Sequence, residues 1–361
     1  METSHYRIFG TYRCALALAV VVSHSLPLTN TSTFVGKIGI GNIAVMAFFT
    51  LSGFIIAEAG STFYKDRPFA FLLNRFWRIA PPYWLALGIS IGAHYALAKA
   101  GLLRFPDYDT PPSGIFETKN IVSNIFTIFP FQGRTGLVNM TNFYGFVRFY
   151  WAILAEVEFY CAAFTAFFLM VFLPRWRAAI AGGYVLTFLS FHLWNDYVSP
   201  IRGELTLVPY FLLGVCLYGA VSGNRWAKAA AIPCFLAVML HFLRYTQGKV
   251  PLEQALQNFW EPVVLVPVLL MAAAPIIMVL LCQVSISGRT RRFDKKLGDL
   301  SYPIYLNHFV VLVAIASVQA RPGWTLLSVA IIASVLLSWG AAVVIETPLK
   351  PLRDRIRGET L

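Results

Sequence analysis

Two ionisable side chains, Arg13 and His24, lie inside the first apolar stretch of the chain. Eleven positions at about 100° per residue return a helix to within roughly 20° of its starting direction, so both side chains share one helix face about 16 Å apart. Ionisable groups at membrane depth are costly and usually serve a function. A neutral imidazole can accept a proton from a hydroxyl, which makes His24 a candidate general base. The alternative is a histidine that only bonds a neighbouring helix.

Composition places these residues in a membrane. Of the 361 residues, 58% are hydrophobic and 13% are charged, and the mean hydropathy is +0.65. A soluble domain of this composition would lack polar cover for its surface, so an integral membrane protein is expected. The five cysteines are scattered without metal-binding spacing, which predicts neither a disulfide framework nor a metal site. The net charge of +12 is typical of basic loops beside a membrane, so membrane lipids, and no nucleic acid, are expected as partners.

Apolar stretches of about 20 residues predict an all-α polytopic membrane protein with about ten transmembrane helices. The expected spans cover residues 10–28, 38–59, 79–99, 150–173, 178–195, 205–222, 229–243, 262–283, 299–318 and 325–345. The sequence has no recognisable internal repeat, which weakens the interpretation as an inverted-repeat transporter. Residues 1–361 are interpreted as one membrane domain, in which the stretch 100–149 forms an ordered loop over one mouth of the bundle.

The distribution of lysine and arginine predicts the orientation. With both termini on the cytoplasmic side, about 19 of the 29 basic residues lie in cytoplasmic segments, in agreement with the positive-inside rule. An even number of spans agrees with this N-in/C-in topology, which places the 100–149 loop outside. The first span could alternatively be a cleaved signal peptide, but no A-x-A-like cleavage site follows it.

Glu156 is a second candidate for chemistry, because its helix is expected to begin near residue 150 at the outer side. It then lies about 9 Å below the outer end of that helix, close to the expected depth of His24. Glu158 follows two positions later and faces another direction, so at most one of the two glutamates can point at a given partner. The alternative is that both lie at a fraying, interfacial helix end.

Arg75 and Arg78 stand three positions apart at the start of the third span, so they share a helix face and form a compact cationic patch that suits an anion. Basic residues beside Trp and Tyr are also ordinary topology anchors at a cytoplasmic helix end. In the second span, Ser52 begins a small Ser-Gly step between aromatic residues, a pattern that is also compatible with close helix packing.

A polar stripe opens the ninth span. Ser301, Tyr305 and His308 recur at positions i, i+4 and i+7, so one face of a membrane helix carries two hydroxyls and an imidazole. Such a stripe favours a cavity, and polar bonding between helices is the alternative.

Taken together, these motifs resemble the membrane acyltransferase-3 family of polysaccharide and sugar O-acetyltransferases, in the family's order and over almost the whole chain. The matches are the Arg-x10-His signature (Arg13, His24), the FFxLSGF element (Phe48 to Phe54), RxxRIxPxY (Arg75, Arg78, Ile79, Pro81, Tyr83), the aromatic-flanked glutamate motif (Trp151, Leu154, Glu156, Phe159, Tyr160) and SYxxYLxH (Ser301, Tyr302, Tyr305, Leu306, His308). The chain departs from the family pattern at Cys14 and Met46, and Val157 splits the usual double glutamate, so that only Glu156 keeps its place.

The resemblance implies transfer of an acyl group, commonly acetyl, from cytoplasmic acetyl-CoA to a hydroxyl of a sugar in an envelope or exported glycan. It implies a multi-pass protein of the inner (cytoplasmic) membrane, with acetyl-CoA as co-substrate and with no metal or permanently bound cofactor. His24 would act as the base and Glu156 would orient it, while Arg13, Arg75 and Arg78 would bind acyl-CoA. The implied substrate cavity is lined by Ser52, Tyr83, Trp151, Ser301, Tyr302, Tyr305 and His308.

Two mechanisms fit this reading. The acceptor hydroxyl attacks the thioester directly with His24 as base, which is the simpler requirement, or His24 first takes the acyl group itself. Two other classes of protein also fit the apolar spans and basic loops: a polytopic transporter or glycan-lipid flippase without chemistry, and an inactive scaffold of an envelope assembly complex. Neither gives a reason for a base and a cationic patch at complementary depths.

Overall fold

The computed structural model describes residues 6–106, 109, 111–130, 143–198, 204–318 and 322–358. This part of the chain is helical and contains no β-strand. Its α-helices are α1 (Phe9–Ser25), α2 (Phe34–Lys37), α3 (Ile40–Ser61), α4 (Pro68–Lys99), α5 (Thr118–Phe126), α6 (Tyr150–Phe172), α7 (Arg177–Tyr197), α8 (Val208–Val221), α9 (Arg225–Tyr245), α10 (Leu252–Gln257), α11 (Pro262–Leu281), α12 (Gly288–Ser317), α13 (Trp324–Ala341) and α14 (Thr347–Arg357). A π-helical turn, Ala342–Glu346, joins α13 to α14.

Seven helical segments in the described chain are long and apolar enough to cross a membrane, judged by length and composition. They are Phe9–Thr29, Ile40–Ser61, Tyr150–Phe172, Arg225–Tyr245, Pro262–Leu281, Gly288–Ser317 and Trp324–Arg357. A helix of about 20 residues matches the apolar thickness of a bilayer and satisfies its own backbone hydrogen bonds there. The protein is therefore an all-α, multi-pass membrane protein.

The expectation of about ten spans is not confirmed. The expected spans 79–99, 178–195 and 205–222 overlap α4, α7 and α8, which lie outside the set of seven. Helix α8 has only 14 residues. Helix α4 begins at Pro68, so Arg75 and Arg78 lie inside the helix and lower the hydropathy of its first half.

Helices α1 and α12 run parallel and touch, and this contact aligns two parts of the site. A Cβ atom on Gly10 would lie 1.8 Å from the backbone oxygen of Asp294, so the two backbones meet where only glycine fits. The Asp294 carboxylate accepts hydrogen bonds from the backbone N–H groups of Gly10 (3.0 Å) and Thr11 (2.7 Å), which caps the N-terminus of α1. His24 follows Gly10, and His308 follows Asp294, by the same 14 positions. The two histidines therefore arrive at the same height.

This contact predicts a stability effect. We expect Gly10→Ala to lower the free energy of unfolding by about 1–3 kcal/mol, because the added methyl group overlaps the backbone of α12 and the helices must separate. Thermal unfolding of the purified protein in detergent measures the change. Gly88→Ala is the matched control, since nothing lies within 4 Å of a Cβ atom at that position. Equal melting temperatures for the two variants would contradict the close approach of α1 and α12.

The bundle has two ends. We call the end where α1, α4 and α12 begin the basic end, and the end where α1 stops and α6 begins the far end. At the basic end, Arg177 at the start of α7 pairs with Asp66. Arg67 donates hydrogen bonds to the carbonyl oxygens of Ile356 (3.0 Å) and Arg357 (3.2 Å). These bonds pin the C-terminal helix α14 to the start of α4.

At the far end, α5 holds the segment 143–149. The side-chain oxygens of Asn120 and Asn124 accept hydrogen bonds from the backbone N–H groups of Tyr144 and Phe146, each at 3.0 Å. This segment is the last part of the loop expected over 100–149, and α5 is another part of it. The positions of that loop outside the described residues are 107, 108, 110 and 131–142. The described part of the loop places Phe149, the residue after Arg148, beside the C-terminal end of α1.

Candidate active site

His24 and His308 form a pair at the far end of α1 and α12. The His24 Nδ1 atom lies 3.0 Å from the His308 Nε2 atom. The ring of Phe149 stacks on His24, with the centroids 3.8 Å apart and the planes 2° from parallel. It also lies parallel to His308, at a centroid distance of 5.1 Å. One aromatic ring thus covers two imidazoles that meet edge to edge.

Hydrogen-bond partners assign the proton positions of the neutral pair. The His308 Nδ1 atom lies 2.7 Å from the carbonyl oxygen of Tyr305, which can only accept, so this nitrogen carries the hydrogen. The His308 Nε2 atom is then an acceptor, and it receives the hydrogen of His24 Nδ1. The remaining nitrogen of His24, Nε2, keeps its lone pair. The basic atom of the pair is therefore His24 Nε2, on the side of the ring away from His308.

Phe149 is itself held in place from both sides. Its carbonyl oxygen accepts a hydrogen bond of 2.8 Å from the Tyr305 hydroxyl. Its neighbour Arg148 pairs with Asp109 at 3.1 Å. Burial raises the pKa of the Asp109 carboxyl, although Arg148 opposes this shift. The backbone that carries the ring is thus held by the Tyr305 hydrogen bond and by the ion pair of the neighbouring Arg148.

A cavity of about 210 Å³ lies between α1, α3, α4, α6, α12 and α14, on the basic-end side of the histidine pair. Its polar lining residues are Arg13, Ser52, Arg75, Arg78, Glu156, Tyr160, Ser301, Tyr302, Tyr305 and Arg357. The three arginines of the sequence prediction therefore face one space, and α14 adds a fourth. We call this space the arginine cavity. Four guanidinium groups face a single carboxylate in its wall.

The arginines have few protein partners. Within the described part of the chain, Arg13, Arg75 and Arg78 form no ion pair. Arg75 is only 7% exposed, and its buried Nε atom has no hydrogen-bond partner. Its guanidinium lies 5.6 Å from the ring centroid of Tyr160. Because an unpartnered buried cation is costly, this arrangement suits an anion with several acceptor oxygens.

Glu156 belongs to the arginine cavity and does not orient His24. Its carboxylate accepts a hydrogen bond of 2.8 Å from Ser52 and a second one from Tyr160. The sequence predicts Glu156 beside His24, but the partner of the His24 Nδ1 atom is His308. The reason is depth: α6 begins beside Phe149, which stacks on His24, and Glu156 follows about 10 Å further toward the basic end.

The polar stripe of α12 connects the arginine cavity with the histidine pair. Ser301 lines the arginine cavity, with its hydroxyl bonded to the Gly298 carbonyl at 2.7 Å. Tyr302 also lines it and donates to the Ile79 carbonyl at 3.2 Å. Tyr305 lines the same cavity and contacts His308 in the next turn, with ring centroids 6.0 Å apart. Tyr305 therefore contacts both the cavity and the histidine pair.

Three predicted cavity residues, Tyr83, Trp151 and His308, lie outside the lining of the arginine cavity, and His308 instead pairs with His24. Tyr83 is fully buried and donates a hydrogen bond of 2.7 Å to the Asn124 carbonyl, which fastens α5 to α4. Trp151 packs edge-on against Phe49 at a centroid distance of 6.3 Å. None of the three is among the described residues that line the arginine cavity. Trp151 thus packs behind Phe49, which lines the cavity.

Two residues of the site were not predicted. Arg357 lies in an amphipathic C-terminal helix outside every motif, and the contacts of this helix with Arg67 and Asn74 bring it to the cavity. Phe149 precedes the helix that carries the glutamate motif, and its position over His24 depends on the loop 143–149. An aromatic residue beside a helix start is too common to indicate such a role. Among the described residues, no group of three or more His, Cys, Asp or Glu side chains is arranged to hold a metal ion.

The fold and the site define a multi-pass membrane protein in which a histidine pair, with His24 half-buried and His308 buried, lies beside a cationic cavity. The model of the acyltransferase-3 domain family matches residues 11–343. The chain belongs to this family, and it is a membrane acyltransferase. It is also similar to the exopolysaccharide production protein ExoZ of Rhizobium meliloti, with 25% identity over 317 residues, which cover 86% of this chain and 90% of the relative. No solved structure matches the chain significantly.

Proposed function

We propose that this protein is an O-acyltransferase that moves an acetyl group from cytoplasmic acetyl-CoA to a hydroxyl of a sugar in an envelope or exported glycan. The observation that carries the proposal is the arginine cavity, in which the buried Nε atom of Arg75 has no hydrogen-bond partner and which reaches Tyr305 next to the His24–His308 pair. Membership of the acyltransferase-3 family and the similarity to an exopolysaccharide production protein support it.

The donor is proposed to enter at the basic end. The phosphates of CoA suit the forked donors of Arg13, Arg75, Arg78 and Arg357, because guanidinium groups bind phosphate oxygens in pairs. The excess of basic residues in the segments at this end favours an N-in/C-in topology of a cytoplasmic membrane. The thioester arm then extends past Tyr305 toward His24, and the ring of Phe149 must move to admit it.

The chemistry is proposed to be direct transfer. The Nε2 atom of His24 takes the proton of the acceptor hydroxyl while its oxygen attacks the thioester carbonyl. The C–S bond then breaks, the acetyl ester forms, and the CoA thiolate leaves and is protonated. The imidazolium of His24 is stabilised by its Nδ1–H bond to His308, in the role that a carboxylate has in a serine protease triad.

An acetyl-His24 intermediate is the competing route, and it uses the same nitrogen. Incubation with labelled acetyl-CoA in the absence of an acceptor, followed by rapid quenching and peptide mass spectrometry, separates the two. Direct transfer predicts no label on the peptide that contains His24. A labelled His24 that passes its acetyl group to an added glycan would establish the two-step route.

The proposed function is tested by product. The purified protein is incubated with isotope-labelled acetyl-CoA and a panel of glycans, and the glycans are analysed for O-acetyl esters. Label on a sugar hydroxyl supports the proposal. A protein that moves a glycan or lipid across liposomes but never cleaves acetyl-CoA would instead be a transporter or flippase.

Arg78 gives a prediction for the donor site. We expect Arg78→Ala to weaken acetyl-CoA binding about 10-fold to 100-fold, because a charged hydrogen bond contributes about 1.5–3 kcal/mol. Arg78→Lys keeps the charge and loses the fork, so its loss is smaller. Isothermal titration with acetyl-CoA measures both variants. Arg175→Ala is the control, since Arg175 lies outside the arginine cavity. Equal affinities of wild type and both Arg78 variants would remove Arg78 from the donor site.

A further inference from the structure

A second cavity, larger than the arginine cavity, lies between α6, α7, α8 and α9. Its volume is about 580 Å³, and its wall is made mainly of Ala, Val, Leu and Phe side chains. It spans residues 155–170 near the end of α6 and 178–189 near the start of α7, so it occupies the basic-end half of the bundle. We call it the lateral cavity.

The lateral cavity exists because half of α7 stands away from the bundle. The buried residues of α7 are His192 and Asn195, both in its last two turns at the far end. Nearer the basic end, Gly182 and Leu186 are exposed and line the cavity at the same time, with Leu186 67% exposed. The gap therefore opens sideways, in the direction of the surrounding membrane.

An apolar gap of this size in a membrane bundle is expected to hold hydrocarbon from a molecule outside the protein. Protein interiors are close-packed, and an apolar void forfeits the dispersion contacts of its lining. Water does not fill such a space, because the wall offers it few polar partners. The wall shared with the arginine cavity contains Ile56, which is 1% exposed, so the acyl chain of a donor bound there has no open path. The open path leads to the bilayer.

The mouth of the lateral cavity at the basic end carries positive charge. Arg177, which also pairs with Asp66, donates a hydrogen bond of 3.1 Å to the carbonyl of Met170, which lines the cavity. Lys228 directly follows the lining residue Ala227. Two further basic residues lie at the same level: Arg175 precedes α7, and Arg225 is the first residue of α9.

Tryptophans flank the same mouth. Trp176 is 63% exposed and Trp226 is 72% exposed. Indole rings of this kind prefer the headgroup level of a membrane, which places the mouth at the interface. Basic side chains at that level attract the phosphate of an anionic lipid. The height, charge and apolar interior of the cavity therefore match a lipid with an anionic headgroup and an apolar tail.

We propose that the lateral cavity binds an anionic phospholipid, with an acyl chain between α6, α7 and α9 and the phosphate at the basic mouth. The lipid replaces the missing packing of α7 in this half of the membrane. The proposal does not rest on the acyl-transfer function, and its test needs no enzyme activity.

The two glycines of α7 provide the experiment. Gly182 lines the cavity and Gly183 does not, and nothing lies within 4 Å of a Cβ atom at either position. Gly182→Phe therefore adds a ring at the wall of the cavity with open space around its Cβ atom, and Gly183→Phe is the matched control. Wild type and both variants are exchanged into mixed micelles of phosphatidylglycerol and phosphatidylcholine, stripped with detergent, and examined by native mass spectrometry for retained lipid.

We expect wild type and Gly183→Phe to retain phosphatidylglycerol, and Gly182→Phe to retain about tenfold less, which corresponds to the loss of about two buried methylenes. Replacing both Arg175 and Lys228 with alanine should lower phosphatidylglycerol retention about fivefold per charge and leave phosphatidylcholine unchanged. Equal retention by Gly182→Phe and wild type would overturn the proposal, as would equal retention of the two lipids by wild type. Displacement of the lipid by palmitoyl-CoA would overturn it too, because the occupant would then be a donor acyl chain.

Discussion

Replacing His24 with alanine is expected to abolish acetyl transfer and to leave the protein folded and able to bind acetyl-CoA. The Nε2 atom of His24 is the unprotonated nitrogen of the His24–His308 pair, and no other nitrogen of the pair can take the proton of the acceptor. A positioned general base contributes about 10²-fold to 10⁴-fold in rate, so kcat should fall by at least that amount. The measurement is the rate at which label from acetyl-CoA appears on the glycan, with acetyl-CoA affinity determined in parallel.

A buried histidine outside the site supplies the control for this prediction. His241 on α9 is 1% exposed, and its Nδ1 atom lies 2.8 Å from the Tyr210 hydroxyl, away from the arginine cavity. His241→Ala removes a buried imidazole from the membrane bundle and should keep most of the acetyl transfer. A His24→Ala protein that transfers acetyl at the wild-type rate would show that the base is another residue.

Replacing His308 with phenylalanine is expected to lower kcat about 10²-fold or more with little change in the KM for acetyl-CoA. The His308 Nε2 atom fixes the Nδ1–H form of His24 and stabilises the imidazolium, and phenylalanine offers no acceptor. His308 does not line the arginine cavity, so donor binding is spared. His308→Gln should recover part of the rate, because an amide oxygen can accept the Nδ1 hydrogen. Steady-state kinetics of the two variants measure this split.

The positioning role of His308 has a spectroscopic signature. With histidine labelled by ¹⁵N, the wild-type protein is expected to show Nδ1–H forms for both His24 and His308, and the His24 signal is expected to change in His308→Phe. A merely structural role predicts equal losses for the Phe and Gln variants and an unchanged His24 signal. That combination would contradict the assignment of His308.

The cationic part of the site could be predicted because local helix geometry determines it. Arg75 and Arg78 share a face of one helix by their spacing, and Arg13 shares a face with His24. The polar stripe of α12 follows the same rule, and two of its members, Ser301 and Tyr305, do line the cavity. Periodicity within one helix was sufficient for these residues.

Relations between helices could not be predicted in the same way. The pairing of His24 with His308 depends on the register of α1 against α12, which the contact between Gly10 and Asp294 sets. Predicting the position of Glu156 requires both the height and the rotation of α6. The expected depth alone placed it beside His24, whereas it bonds to Ser52. Arg357 enters the cavity through the fold of the C-terminal helix. Side chains that meet across 284 positions of sequence leave no local signal.

The spans show the same division. Long apolar helices such as Pro262–Leu281 were predictable from composition, because a bilayer selects for them. The start of helix α4 was harder to predict, since the helix begins at Pro68 and carries its arginines inside it. Its charges are tolerated because they face the arginine cavity and the rings of Phe71 and Tyr160.

The most direct test of acyl transfer by His24 is the release of CoA thiol by the purified protein in liposomes, with acetyl-CoA and a glycan acceptor supplied. Wild type and His24→Ala are compared at equal protein and equal bound acetyl-CoA. The mechanism predicts thiol release by wild type in step with glycan acetylation, and none above background by His24→Ala. Equal release by both proteins would contradict the mechanism.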